Sequence, residues 1–203
     1  MKFWKLIVPF TFAAGVAAGV GLKNVYDDFT APAPLSIGDH FRAAVTDVYD
    51  ADTWTLQRGD ETHNARIWGI DAPERSQRCK QERRIVPCGM QARDAMRALV
   101  MDKTVDCEVK GFDDNRGRPV VQCTVGGKDP VAEIVRGGWA FSDTKYSDNP
   151  YGTEQNQAQL KRSGLWGMEF REPARWRACQ ALGRGGSGAV PADCIKPLGP
   201  LNR

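Results

Sequence analysis

The stretch "HFRAAVTDVYDADTWTLQRGDETHNARIWGI", His40 to Ile70, decides how the fold is read. It holds three β-rich runs, Phe41 to Tyr49, Thr53 to Gln57 and Thr62 to Ile70, broken by the turn material "DAD" and "RGDE". That pattern predicts a three-stranded meander in a domain starting near Asp39. Downstream, "GMQARDAMRALVMD" places Ala92, Ala95, Met96, Leu99 and Val100 at helical spacing. "TVDCEVKGF" and "RPVVQCTV" then read as two strands around the turn "DDNRG". "DPVAEIVRGG" reads as a short helix with Asp129 at the N-cap, Pro130 in the first turn and Gly137 at its end. A further helix starts near Thr153 and stops at Gly164. Five short strands with one helix between the third and fourth predict an α+β fold built on a small closed barrel of the oligonucleotide-binding type.

A chain of 203 residues suits one such domain with tails. The formal charge of +3 is too small to identify a nucleic-acid partner, so any electrostatic argument must be local. At the N-terminus Lys2 and Lys5 precede an uncharged run from Leu6 to Leu22. Residues 1–23 therefore read as an export element, either a cleaved signal peptide or a membrane anchor, because the run falls between a signal core and a span of roughly 20 residues. The positive-inside rule leaves the lysines cytoplasmic and exports the remainder, to a periplasmic or secreted location. Residues 24–38, rich in Pro, Ala and Asp, read as a linker. Residues 178–203, rich in Gly and Pro, read as a tail with little regular structure.

Six cysteines fit an oxidising compartment. A zinc site is disfavoured by two histidines and no C-x-x-C pair. The pairing of neighbours is favoured: Cys79 with Cys88, Cys107 with Cys123, Cys179 with Cys194. Cys107 and Cys123 are equidistant from Asn115, so an antiparallel hairpin centred there would set them face to face.

"YDADTW" carries Asp50 and Asp52 between the first two strands, and "RIWGIDAPE" carries Arg66, Asp71 and Glu74. In a meander, the first connection and the end of the third strand can meet at one end of the barrel, which would bring Asp52 beside Asp71. Two carboxylates held together call for a cation or a proton. Oxygen-only ligands favour a hard ion, Ca²⁺ or Mg²⁺, with the carbonyl of Ala72 as a further oxygen. Glu74 is placed to act as general base on a water. Arg66, and Arg118 beyond "DDNRG", offer guanidinium forks that suit phosphate oxygens.

The segments "DVYDADTWTL", "RIWGIDAPE", "DDNRGRPVV", "IVRGGWAF", "GLW" and "EPARWR" together resemble the staphylococcal-nuclease (thermonuclease) family over residues 39–177. The intervals from Asp52 to Arg66, Asp71, Glu74 and Arg118 match those of the prototype. The resemblance implies a five-stranded barrel with three helices, and a Ca²⁺-dependent phosphodiesterase that cuts DNA and RNA and leaves 3′-phosphate ends. It makes Asp52, Asp71 and the Ala72 carbonyl metal ligands, Glu74 the general base, and Arg66 and Arg118 the phosphate-gripping arginines. Ala72 replaces a threonine, and Arg116 stands where the prototype has a tyrosine, so a cation would meet the nucleic acid there. Tyr146 and Tyr151 lie where the family has nucleotide-contacting tyrosines. The cysteine-bearing loop 75–88 resembles the exported bacterial branch.

A monomer acting on DNA and RNA is the resulting expectation, with the membrane as a partner only if the N-terminal element is retained. The reading from a different class is a non-catalytic barrel that binds single strands, because fold alone does not set function.

Overall fold

The computed structural model describes residues 34–113, 117–145, 147–183 and Cys194. The expected export element, most of the linker, Arg116, Tyr146 and most of the tail lie outside the described residues. Among the described residues no helix is long and apolar enough to cross a membrane.

In chain order the strands are β1 (His40–Asp50), β2 (Thr53–Arg58), β3 (Glu61–Ile67), β4 (Ile70–Asp71), β5 (Cys79–Gln81), β6 (Arg84–Val86), β7 (Thr104–Phe112), β8 (Pro119–Thr124) and β9 (Phe141–Ser142). The helices are α1 (Cys88–Val100), α2 (Pro130–Arg136), α3 (Gly152–Lys161) and α4 (Pro173–Gly183), with a 3₁₀ turn at Gly164–Gly167. Strands β1, β2, β3, β8 and β7 close into a barrel in that order. All contacts are antiparallel except β3 with β8, where Arg66 faces Val120 and Ile67 faces Val121. The barrel is the one expected, with a fourth helix in addition to the expected three.

Alternation explains the core. Phe41, Ala43 and Val45 of β1, Trp54 and Leu56 of β2, Ala65 and Ile67 of β3, and Val105, Cys107 and Val109 of β7 all point inward. Helix α1 closes the barrel with Ala92, Met96 and Val100, while Ala95 and Leu99 pack half-buried at its edge. Two register shifts in β1, between Val45 and Asp47 and between Val48 and Asp50, break the odd-numbered alternation. The first of them moves the inward face from odd to even positions, so Val48 and Asp50 face in and a carboxylate at the strand's end turns toward the interior.

The third expected strand is interrupted. Gly69, at φ +84°, ends the run after β3, and a Cβ there would lie 2.8 Å from the Tyr151 ring. The chain resumes as β4, which leaves the barrel to pair Ile70 with Ser142 and Asp71 with Phe141 of β9. Residues 75–87, expected as a loop, fold partly into the β5–β6 hairpin.

All three neighbouring cysteine pairs are disulfides. Cys107 faces Cys123 directly in the β7–β8 register, with a Cα–Cα distance of 4.1 Å. Cys79 and Cys88 join Leu165 and Phe170 in a second apolar cluster, against which Phe141 and Trp166 pack with ring centroids 5.2 Å apart. This cluster draws the segment before α4 onto the β5–β6 hairpin, where Lys80 and Glu169 exchange backbone hydrogen bonds and also form a salt bridge. Helix α4 continues to Gly183, past the expected domain end at 177.

Candidate active site

The β1–β2 turn, the β4 corner, the start of β8 and helix α4 border one cleft of about 1760 Å³, lined by Asp50, Arg66, Asp71, Glu74, Arg118 and Arg177 among others. The expected juxtaposition is present. Arg66 Nη2 lies 3.2 Å from Asp52 Oδ2 and 3.5 Å from Asp71 Oδ1, so one guanidinium joins the two carboxylates across 19 residues of sequence. Strand pairing explains the contact: Arg66 faces Thr53, the residue after Asp52, and the Ile67 N–H donates to the Asp52 carbonyl at 2.8 Å.

Asp52 is buried and well supplied with donors. Its Oδ2 accepts the Ala72 N–H at 3.0 Å and its Oδ1 accepts the Thr53 hydroxyl at 3.1 Å. Ala72 therefore meets the site through its backbone N–H, whereas the expectation concerned its carbonyl. Glu74 stands at the same corner, and Arg118 lines the same cleft with its Nε donating to Asp113 Oδ2 at 2.7 Å.

Two groups that line the cleft were missed by sequence reading. Asp50 is buried, and its Oδ1 has no hydrogen-bond partner among the described residues. Burial first, and then the neighbouring Asp52 carboxylate, push the Asp50 carboxyl well above the usual carboxylate range. Its signal in the sequence was the D-x-D turn, but the inward rotation depends on the β1 irregularity between Val45 and Asp47. The second group is Arg177 of α4. Its Nη1 and Nη2 fork onto Asp71 Oδ1 and Oδ2, each at 3.0 Å, and Nη1 also reaches Glu74 Oε1 at 3.0 Å. Arg177 lies in the quoted "EPARWR", which gave no signal of this contact.

The electrostatics follow from this packing. Burial raises the Asp71 pKa despite the opposing pull of Arg177 and Arg66. The Arg66 guanidinium is held more firmly protonated, chiefly by Asp52. For Arg177 burial works against the charge, and the bonds to Asp71 and Glu74 outweigh it.

Tyr151 is placed outside this cleft. Its ring is buried against Gly69, its hydroxyl donates to Asp129 Oδ2 at 2.9 Å, and it does not line the cleft. Asp129 meanwhile caps α2 through the N–H groups of Val131 and Ala132. The phenol thereby ties the start of α3 to the cap of α2.

The donor set bears on the metal expected here. The unpartnered Asp50 oxygen, with Asp52, Asp71 and Glu74 at the same end of the cleft, is an all-oxygen, negatively charged setting suited to a hard cation. Among the described residues no three such side chains already converge as a formed metal cluster, since Arg66 and Arg177 lie between the carboxylates.

Fold and site together define a small oligonucleotide-binding-type barrel with carboxylates and guanidinium groups at one mouth. The chain belongs to the staphylococcal nuclease homologue family, whose model matches residues 64–168. It is also 32% identical over 137 residues to a Haemophilus influenzae protein described as an "Uncharacterized endonuclease", covering 66% of this chain and 71% of that one. A Meyerozyma guilliermondii protein described as "Probable endonuclease LCL3" is 32% identical over 130 residues, covering 58% and 56% of the two chains. The family match takes in Arg66, Asp71, Glu74 and Arg118, while Asp50, Asp52 and Arg177 lie outside it.

Proposed function

We propose that the protein is an exported, divalent-metal-dependent endonuclease that hydrolyses phosphodiester bonds in DNA and RNA, with Ca²⁺ as the ion and 3′-phosphate ends as the product. The observation that carries this reading is the meeting of Asp52 and Asp71 on Arg66, with Glu74 at the same corner of an open cleft. Family membership and two relatives described as endonucleases support it. The choice of Ca²⁺ and of the product ends comes from the resemblance.

Asp52, Asp71 and the Ala72 carbonyl would hold the ion, with Asp50 behind them. Bound there, a divalent ion supplies charge that polarises the phosphate and acidifies a nearby water. Glu74 accepts the proton of the attacking water, a contribution of about 10² to 10⁴-fold. Arg66 and Arg118 orient the phosphate and stabilise the charge that grows on its oxygens. Arg118 is held in reserve on Asp113 and exchanges one acidic partner for another when a phosphate enters.

Three disulfides fit an oxidising compartment, which supports export; retention at a membrane depends on residues outside the described ones. Incubation of the oxidised protein with plasmid DNA and with RNA tests the proposal. Calcium-dependent cleavage that stops on chelation supports it. Binding without cleavage under any divalent ion would favour a binding-only barrel instead.

A further inference from the structure

Arg177 reaches the carboxylate corner from 106 residues beyond Asp71. It is not a stray surface side chain. The buried Gln77, just past the corner, donates from Nε2 to the Arg171 carbonyl at 2.7 Å, fixing the chain that leads into α4. Arg171 in turn donates from Nη2 to the Cys194 carbonyl at 3.2 Å, and Cys194 is bonded to Cys179, two residues past Arg177. The guanidinium is thus delivered by a helix anchored to the loop it meets and clipped by a disulfide.

The fork takes both oxygens of Asp71 at once. These oxygens present the lone pairs that a hard cation bound by Asp71 would need, and a guanidinium and a divalent ion repel each other at such a distance. Arg66, shared between Asp52 and Asp71, also lies 3.5 Å from Asp71 Oδ1, so a positive charge stays beside this carboxylate when Arg177 leaves it. The Arg177 side chain is 39% exposed on the cleft wall, and so can leave the carboxylate for water without crossing the core.

We propose that Arg177 is a built-in competitor for the metal: it occupies Asp71 until a divalent ion displaces it, and so sets the metal affinity of the site. The inference rests on the metal-dependent reading given above. Its reach extends to Glu74, because the same nitrogen that forks Asp71 also holds Glu74 Oε1. Displacement by the ion therefore frees the general base together with the ligand, and couples metal loading to readiness for catalysis.

Calorimetric titration of the chelator-treated, oxidised full chain with Ca²⁺ tests this without reading activity. Arg177→Gln removes the competing charge and is expected to tighten Ca²⁺ binding about tenfold, as loss of a forked ion pair at a half-exposed site should. Arg177→Lys keeps a charge without the planar fork and should fall between Gln and wild type. If the Gln variant does not fold, tighter binding by the Lys variant alone supports the inference, and unchanged binding overturns it. Wild-type binding with equal or weaker binding by folded Arg177→Gln overturns the competitor role, assigns Arg177 to positioning Glu74, and leaves the metal reading intact. Absence of binding in every variant overturns both together.

Discussion

The backbone of Gly89, at the start of α1, lies so close to Glu74 that a Cβ on Gly89 would sit 1.9 Å from the Glu74 carbonyl oxygen. No side chain fits at that distance. The Gly89 N–H also donates to the Gln77 carbonyl at 3.1 Å, and the Gln77 N–H donates to that same Glu74 carbonyl at 2.7 Å. The corner that carries Glu74 is therefore seated directly on the helix that closes the barrel. Gly89→Ala should displace the corner, destabilise the fold by about 1 to 3 kcal/mol through overpacking, and reduce cleavage at temperatures where the protein remains folded. Urea denaturation alongside nuclease assay reads both.

Glu74 reaches Arg177 through one oxygen, Oε1, and so keeps a second for a water. Glu74→Gln preserves the shape and removes the basicity. Cleavage should drop by about 10² to 10⁴-fold with the melting temperature little changed. Near wild-type turnover by this variant would remove Glu74 from its proposed role.

Arg66 holds Asp52 and Asp71 together from a half-buried position. Lysine there keeps the charge and loses the planar fork, so Arg66→Lys should lower kcat/KM about tenfold or more. Full activity in a steady-state assay would show that charge alone suffices.

Tyr151→Phe separates cap from platform. It deletes the hydroxyl bond to Asp129 and should cost about 1 kcal/mol of stability, while oligonucleotide binding measured with chelator present stays unchanged. Weakened binding would return Tyr151 to the nucleic-acid interface.

The disulfides should differ in what they protect. The Cys107–Cys123 bond closes a loop of 16 residues in the β7–β8 hairpin, away from the cleft, so replacing both by serine should cost about 3 kcal/mol of stability with turnover retained in the folded fraction. The Cys79–Cys88 bond lies between the Glu74 corner and Gly89, so its removal should lower turnover as well. Equal effects on activity would argue against this division.

Much of this molecule follows from local sequence. Three β-rich runs broken by turn residues in 40–70 predict the meander, Asp129 and Pro130 start α2 as their chemistry requires, and the symmetric placement of Cys107 and Cys123 about Asn115 anticipates their register. These features depend on neighbours a few residues apart, or on one hairpin, so composition and spacing carry them. Closure of the barrel adds what spacing could only suggest, the approach of Asp52 to Asp71. Other features depend on where distant segments come to rest. Asp50 faces inward because the irregularity between Val45 and Asp47 shifts the phase of β1, and alternation read from its start points the wrong way after it. Tyr151 is buried because Asp129, 22 residues earlier, takes its hydroxyl. Arg177 reaches Asp71 and Glu74 because an aromatic cluster, Gln77 and the β5–β6 hairpin hold the segment that leads into α4. A surface arginine near the C-terminus reads the same in sequence whether it meets water or a carboxylate; only long-range packing, which determines what is desolvated beside it, decides between them.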